Sequence, residues 1–172
     1  TLDTIPATVP YLSADPQRIA RWRPRLAAQP PGLRVGLAWE TRGDQQRSVP
    51  IAALLEALLP VAGVCLVSLQ KGLGAEELNA LPEAVRSRVL QLPLDEDDAV
   101  FGDTAAVMAG LDLVISIDTA AAHLAGALGC QTWVLLYQVP DWRWMLDRED
   151  SPWYPTVRLF RLFPEVLEEY QD

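Results

Sequence analysis

Hydrophobic and polar positions follow two regimes along this chain. Residues 1–32 carry no sustained period, and Pro6, Pro10, Pro16, Pro24, Pro30 and Pro31 punctuate them. Proline fixes φ and removes an amide donor, so such a stretch is not expected to hold a long helix or a central strand. It reads as a linker or wrapping arm with one short helix over Asp15–Trp22. Its apolar members Ile5, Val9, Tyr11, Leu12 and Trp22 give it something to pack with. From Leu33 onward, short apolar runs recur between helical patterns. The pattern predicts strands over Arg34–Trp39, Gly63–Leu69, Val89–Leu92, Leu111–Ile117, Thr132–Leu136 and Val157–Phe160. Ser48-Val49-Pro50 reads as a helix start, with Ser48 as N-cap, followed by the apolar stretch Ile51–Leu59 and a stop at Pro60. Further helices are expected over Glu76–Leu81, from Asp103-Thr104 to Ala109, from Asp118-Thr119 to a C′ glycine at Gly129, and over Glu165–Tyr170.

Strands alternating with helices of about ten residues imply βαβ units and a parallel sheet. Leu111–Ile117 is apolar on both faces, as a buried parallel strand is. The expected fold class is therefore α/β: a Rossmann-like, doubly wound parallel sheet of about six strands over residues 33–172, preceded by the arm 1–32. In such a sheet ligands bind at the carboxyl ends of the strands, so interest falls on the loops after Trp39, Leu69, Leu92, Ile117 and Leu136.

Composition narrows the chemistry. Of 172 residues, 14 are Lys or Arg and 23 are Asp or Glu, a net charge of −9. That balance argues against a nucleic-acid or anionic-membrane surface. No apolar run reaches the length of a membrane span, and no signal peptide is visible. The lack of an initiator Met suggests a fragment or a processed chain. One histidine, His123, and two distant cysteines, Cys65 and Cys130, exclude the common zinc-ligand patterns, and a disulfide framework is not expected. A reducing compartment fits this best.

Three loops carry candidate chemistry. In Ser116-Ile117-Asp118-Thr119-Ala120-Ala121-Ala122-His123 a buried strand runs directly into a helix. The helix N-terminus offers unpaired N–H groups and a positive dipole end, which suit a phosphate. Thr119 can donate a hydroxyl, and His123 lies four residues later on the same helical face. The alanines keep this helix thin. The plainer readings are that Asp118 is an ordinary N-cap and His123 a structural histidine. In the second loop, Glu40 to Ser48, Arg47 and Ser48 lie at a helix start where a guanidinium can clamp a diphosphate; a solvated loop is the alternative. The third loop, Ser68-Leu69-Gln70-Lys71-Gly72-Leu73-Gly74, offers amides and a cation. It is not GxGxxG, because Glu77 stands in the third glycine place, so a dinucleotide cofactor is disfavoured.

Asp95-Glu96-Asp97-Asp98 reads as a solvated acidic loop, with a divalent-metal site as the lesser reading. Trp133, Trp142, Trp144 and Trp153 read mainly as packing. One exposed Trp is free to stack on a sugar or base, and Arg143 and Arg148 can reach an acceptor or a phosphate.

Asp103-Thr104-Ala105-Ala106 followed by Leu111 to Gly129 resembles the signature of bacterial glycosyltransferase family 9, the heptosyltransferase-like group. Pro140-Asp141-Trp142-Arg143-Trp144, Ser151-Pro152-Trp153-Tyr154-Pro155, Arg158-Leu159-Phe160-Arg161, Gly36-Leu37-Ala38-Trp39, Arg47-Ser48 and Ser68 to Gly72 are similar to its branch attached to tetratricopeptide repeats. So are Ile5-Pro6-Ala7 and Pro10-Tyr11-Leu12, which are similar to the segment joining its two lobes.

The resemblance implies the C-terminal, donor-binding half of a two-lobed GT-B architecture. It implies a nucleotide-diphosphate sugar as donor substrate, no metal or other cofactor, a missing N-terminal lobe and tetratricopeptide repeats as partners, and a cytoplasmic location. It places Asp118, Thr119 and Ala120 at the donor diphosphate, with His123 beside them and Arg47 neutralising the leaving group. Ser48 joins Arg47, while Ser68, Leu69, Gln70, Lys71, Asp103 and Thr104 line the nucleoside pocket; Trp142 and Arg143 are, on their side-chain chemistry rather than on the resemblance, candidates for a sugar or acceptor contact. A helix dipole plus a cation would stabilise a departing diphosphate without a metal. Three positions depart from the family pattern: Glu40 after the first strand, Tyr137-Gln138-Val139, and the end from Pro164. They keep a second reading open, a non-catalytic scaffold with a vestigial cleft.

Overall fold

The computed structural model describes residues 1–41, 47–96, 100–137 and 139–161. Six strands form one all-parallel sheet: β1 Leu33–Ala38, β2 Val64–Ser68, β3 Val89–Leu90, β4 Leu113–Ile117, β5 Thr132–Leu136 and β6 Val157–Arg161. Their order is β3-β2-β1-β4-β5-β6. The chain leaves β1 in one direction and returns beside it at β4, so the sheet has its topological switch between these two strands. The expected doubly wound class is the observed one.

Strand side chains alternate between two faces. Val35, Leu37, Leu66 and Ile115 pack on one face against Ile51 and Leu55 of α2 (Ile51–Leu58) and Leu78 of α3 (Leu73–Ala80). The other face holds Val67 and Val114. They pack against Trp22 and Leu26 of α1 (Pro16–Ala27), Ala106 and Met108 of α5 (Gly102–Met108), and Ala121 and Ala125 of α6 (Ala120–Ala127). A short α4 (Glu83–Arg86), not expected from the sequence, precedes β3. Towards the β6 edge, Val134, Leu136, Val157 and Leu159 pack with Ala122 and the fully buried Trp144.

Several local expectations change. The helix of the arm runs to Ala27 and carries Pro24 inside it. An interior proline costs roughly 3 kcal/mol. Burial of Trp22 and Leu26 offsets that, at about 1.5–3 kcal/mol for a fully buried side chain of leucine size and more for Trp. Asp15 caps α1 by accepting from the Gln17 amide. Ser48 is not the N-cap of α2; Pro50 is, and Ser48 Oγ accepts from the Thr41 amide instead. The Glu77 carboxylate reaches across from α3, accepting from the Ile51 amide at 3.0 Å and the Trp39 indole at 2.9 Å. α3 begins at Leu73, earlier than expected, and β3 ends at Leu90. Gly129 takes the expected C′ position after α6, with φ +73°. Residues 42–46, 97–99, 138 and 162–172 lie outside the described residues. With them go the middle of the loop after β1, Asp97, Asp98, Gln138 and the expected helix Glu165–Tyr170.

Asp103 and Thr104 do not cap α5. The helix starts at Gly102, behind Phe101 in the left-handed region, and both residues lie buried in its first turn. Their amides donate to Asp95 Oδ1 at 2.6 and 3.2 Å, so the cap comes from eight residues upstream. Asp95 is therefore not part of a solvated acidic loop: its side chain is only 2% exposed.

Candidate functional site

The carboxyl ends of β1 and β4 meet at the switch point, and α6 begins there. β4 ends at Ile117; Asp118 follows, and Thr119 is the N-cap residue of α6. Neither side chain caps the helix. Thr119 Oγ1 turns back to Ser116 Oγ at 3.3 Å and to the Ile117 carbonyl at 3.5 Å. The first amides of α6, at Ala120 and Ala121, lack intrahelical partners by the geometry of a helix start. The expectation that Asp118 caps the helix is thus corrected, because its carboxylate is drawn to a cation instead. Arg47 donates from one guanidinium nitrogen to Asp118 Oδ2 at 2.7 Å and to the Asp118 carbonyl at 3.0 Å. This joins the loop after β1 to the loop after β4.

His123 lies one turn into α6, its Nε2 4.0 Å from Asp118 Oδ1. The Trp144 ring stacks on the imidazole at 5.0 Å and 17°. His123 Nδ1 is 3.2 Å from the Tyr154 hydroxyl, which accepts from the Tyr11 hydroxyl at 3.5 Å. Burial lowers the His123 pKa from its ordinary value. Asp118 and Asp141 oppose the shift and Arg143 adds to it. The imidazole is therefore neutral at pH 7. Burial pushes the Tyr154 phenol upward, so it keeps its proton.

The expected nucleoside-pocket residues come together differently. Ser68 and Leu69 are buried, and Ser68 Oγ accepts from the Gln70 amide. The Gln70 side chain is bound to backbone: its oxygen accepts from Trp39 and Glu40 at 2.9 and 3.0 Å, and its nitrogen donates to the Glu40 and Lys71 carbonyls. Lys71 Nζ pairs with Asp95 Oδ2 at 2.9 Å. Thr104 Oγ1 donates to the same oxygen at 2.5 Å. Burial raises the Asp95 pKa, but the bonds from Thr104, Lys71 and the two amides outweigh it and hold the carboxyl below its usual value. Asp103 in turn accepts from Arg18 of α1 at 2.8 Å. Glu40, the acid in the first loop, accepts from the Gly74 amide at 2.6 Å and serves the start of α3.

Trp142 and Arg143 sit in a 3-10 turn, Trp142–Trp144, whose Asp141 cap accepts from the Arg143 amide. Trp142 is 66% exposed. Its ring meets Trp153 edge-on at 5.6 Å and carries the Arg143 guanidinium 4.5 Å above it. Of the residues singled out from the sequence, Arg47, Asp118, Thr119, Ala120 and His123 thus converge at the switch point. Lys71, Asp103 and Thr104 meet through Asp95. Tyr11, Asp95, Trp144 and Tyr154 also contribute, although the sequence marks Tyr11 and Trp144 as packing residues, Asp95 as part of an acidic loop and Tyr154 as part of the Ser151–Pro155 motif, and none of them as a site residue. For Trp144 and Tyr154 the aromatic density of the loop before β6 was the sequence signal, and for Asp95 it was the acidic run that it opens.

No family model matches the chain. Protein FlbA of Caulobacter vibrioides is 34% identical over 173 residues, covering 99% of this chain and 28% of FlbA. Among solved structures, the E. coli ADP-heptose lipopolysaccharide heptosyltransferase II superposes with a TM-score of 0.62 at 16% identity, over 92% of this chain and 47% of its own. A family 9 glycosyltransferase from Veillonella parvula gives 0.63 at 11% identity, over 94% and 45%. An E. coli heptosyltransferase with ADP gives 0.53 at 19% identity, over 98% and 52%. The chain therefore spans about a quarter of FlbA and about half of each of these structures, and its fold is that of one lobe of a GT-B glycosyltransferase.

Proposed function

We propose that this chain is the nucleotide-diphosphate-sugar binding half of a GT-B glycosyltransferase, carrying out metal-independent sugar transfer once joined to an N-terminal lobe. The observation that carries the reading is the convergence of Arg47, the uncapped start of α6 and the neutral His123 on one point between β1 and β4. A departing nucleoside diphosphate gathers negative charge. Preorganised amides, a guanidinium and an imidazole N–H stabilise such charge without reorganising at the moment of reaction. In this reading Arg47 exchanges Asp118 for the diphosphate, and Ala120 and Ala121 supply amides. Ser68 to Lys71 with Asp103 and Thr104 shape the nucleoside side, and Trp142 and Arg143 face the sugar or acceptor. Similarity to heptosyltransferases supports a sugar donor, and the N-terminal lobe and tetratricopeptide repeats complete the proposed protein. A cytoplasmic location fits a nucleotide-sugar substrate; among the described residues no helix is long and apolar enough to cross a membrane.

A second reading is a folded platform with a vestigial cleft. It is favoured by the fact that Arg47 and Lys71, among the described residues, are already in ion pairs, with Asp118 and Asp95. Calorimetry separates the two. The donor reading expects ADP, UDP or GDP to bind, and Arg47→Ala to weaken binding by about 1.5–3 kcal/mol, the range of a charge-assisted hydrogen bond. Binding by none of the three, or binding unchanged in both Arg47→Ala and Thr119→Ala, supports the platform.

A further inference from the structure

We infer that Tyr154, backed by Tyr11 of the arm, is a positioning residue that fixes His123 as its Nε2–H tautomer and aims that N–H at the start of α6. The inference rests on the donor-site reading for its purpose but not for its geometry.

The hydrogen-bond chain has a direction. The Tyr11 hydroxyl donates to the Tyr154 oxygen. The Tyr154 proton is then free to point at His123 Nδ1, 3.2 Å away. A nitrogen that accepts carries no proton, so the proton of the neutral imidazole resides on Nε2. Nε2 is the nitrogen that faces Asp118, across 4.0 Å. The upward shift of the Tyr154 pKa keeps the phenol a donor, and the downward shift at His123 keeps the imidazole neutral.

Two further contacts hold the ring. Trp144, fully buried, stacks on it and sets its plane. Tyr154 lies directly on α6 because residue 126, one turn after His123, is glycine. A Cβ there would fall 2.6 Å from Tyr154 Cγ, inside a rigid ring. The arm is tied to the same helix, since the Tyr11 and Leu12 amides donate to the Ala127 carbonyl at 3.0 and 3.2 Å. The arm thereby reaches the site through two hydroxyls. The charged groups facing the imidazole are Asp118 from the β4 loop and Asp141 and Arg143 from the loop before β6.

The purpose follows from charge. A neutral imidazole in the other tautomer would turn a lone pair towards an anionic ligand and repel it. The Nε2–H form offers a donor to a phosphate oxygen at any pH above the imidazole's own titration.

His123 is the only histidine of the chain, so ¹⁵N NMR of its ring reads the tautomer without assignment ambiguity. At pH 7.5 we expect a protonated Nε2 and an unprotonated, hydrogen-bonded Nδ1. Tyr154→Phe should move the Nδ1 resonance to that of an unbonded nitrogen and raise the His123 pKa towards its ordinary value, because the donor that favours the neutral ring is gone. Tyr11→Phe should move both in the same direction by less, and Gly126→Ala should reproduce Tyr154→Phe by displacing the ring. A protonated Nδ1 in the parent chain overturns the inference. So does a Tyr154→Phe chain, folded by circular dichroism, with Nδ1 and pKa both unchanged. Titration of the same samples with ADP, UDP and GDP is scored separately. Loss of affinity for whichever of these binds, several-fold or more in Tyr154→Phe, supports the purpose; the expected Nδ1 signature in a chain that binds none of the three supports the positioning role and refutes the donor reading.

Discussion

His123 is held on three sides: by Trp144 on its face, Tyr154 on Nδ1, and Asp118 beyond Nε2. Its lowered pKa has a defined consequence for stability. The unfolded chain takes up a proton at about pH 6.5, and the folded chain only below that. Within this window the unfolded state binds more protons, so stability rises with pH and is lost as pH falls from about 6.5 through the folded-state pKa. Urea unfolding at pH 5.5 and 7.5 should therefore show a positive pH slope that His123→Gln reduces. Asp95 acts at lower pH. Its depressed carboxyl contributes stability that is present above the unfolded value of about 3.9 and lost as pH falls through the folded pKa. Asp95→Asn at pH 7 should cost about 1–3 kcal/mol, since it removes the ion pair with Lys71 and weakens the cap of α5, and denaturant midpoints measure it.

At the scale of elements, the six strands and the helix after β4 were legible because each is set by local physics. β5 falls on the expected residues Thr132–Leu136, and α6 is terminated by the expected glycine. The helix starts were less legible. α2 takes a carboxylate from Glu77 on α3, and α5 takes one from Asp95 across a loop, so no capping residue adjacent in sequence marks either start. The arm was underestimated for a related reason. Proline count measures local cost, whereas α1 is retained by contact with α5 through Trp22 and Leu26. Trp22→Ala should accordingly destabilise the whole chain by about 3–5 kcal/mol in a denaturant titration, although residue 22 belongs to the proline-rich segment.

At the scale of the molecule, the sheet order β3-β2-β1-β4-β5-β6 brings the loops after β1 and β4 together, and the site forms where they meet. On the donor reading proposed above, the isolated chain should bind a nucleoside diphosphate yet transfer no sugar, whereas a longer protein containing it should do both. Mass spectrometry of acceptor candidates incubated with each nucleotide sugar checks the second part.

The sequence by itself determined the α/β class, the strands, the switch-point loop from Ser116 to His123, and the candidate donors Arg47 and Thr119. Periodicity, turn residues and helix-start chemistry act over a few neighbouring positions, and the residue string records them directly. Only the tertiary structure decided which partners those residues take: Arg47 with Asp118 across 71 positions, Tyr154 with His123 across 31, and Tyr11 with Tyr154 across 143. The reason is that charge pairing and hydroxyl-to-imidazole bonds depend on distances of about 3 Å, which the folding of the sheet creates and sequence spacing does not encode.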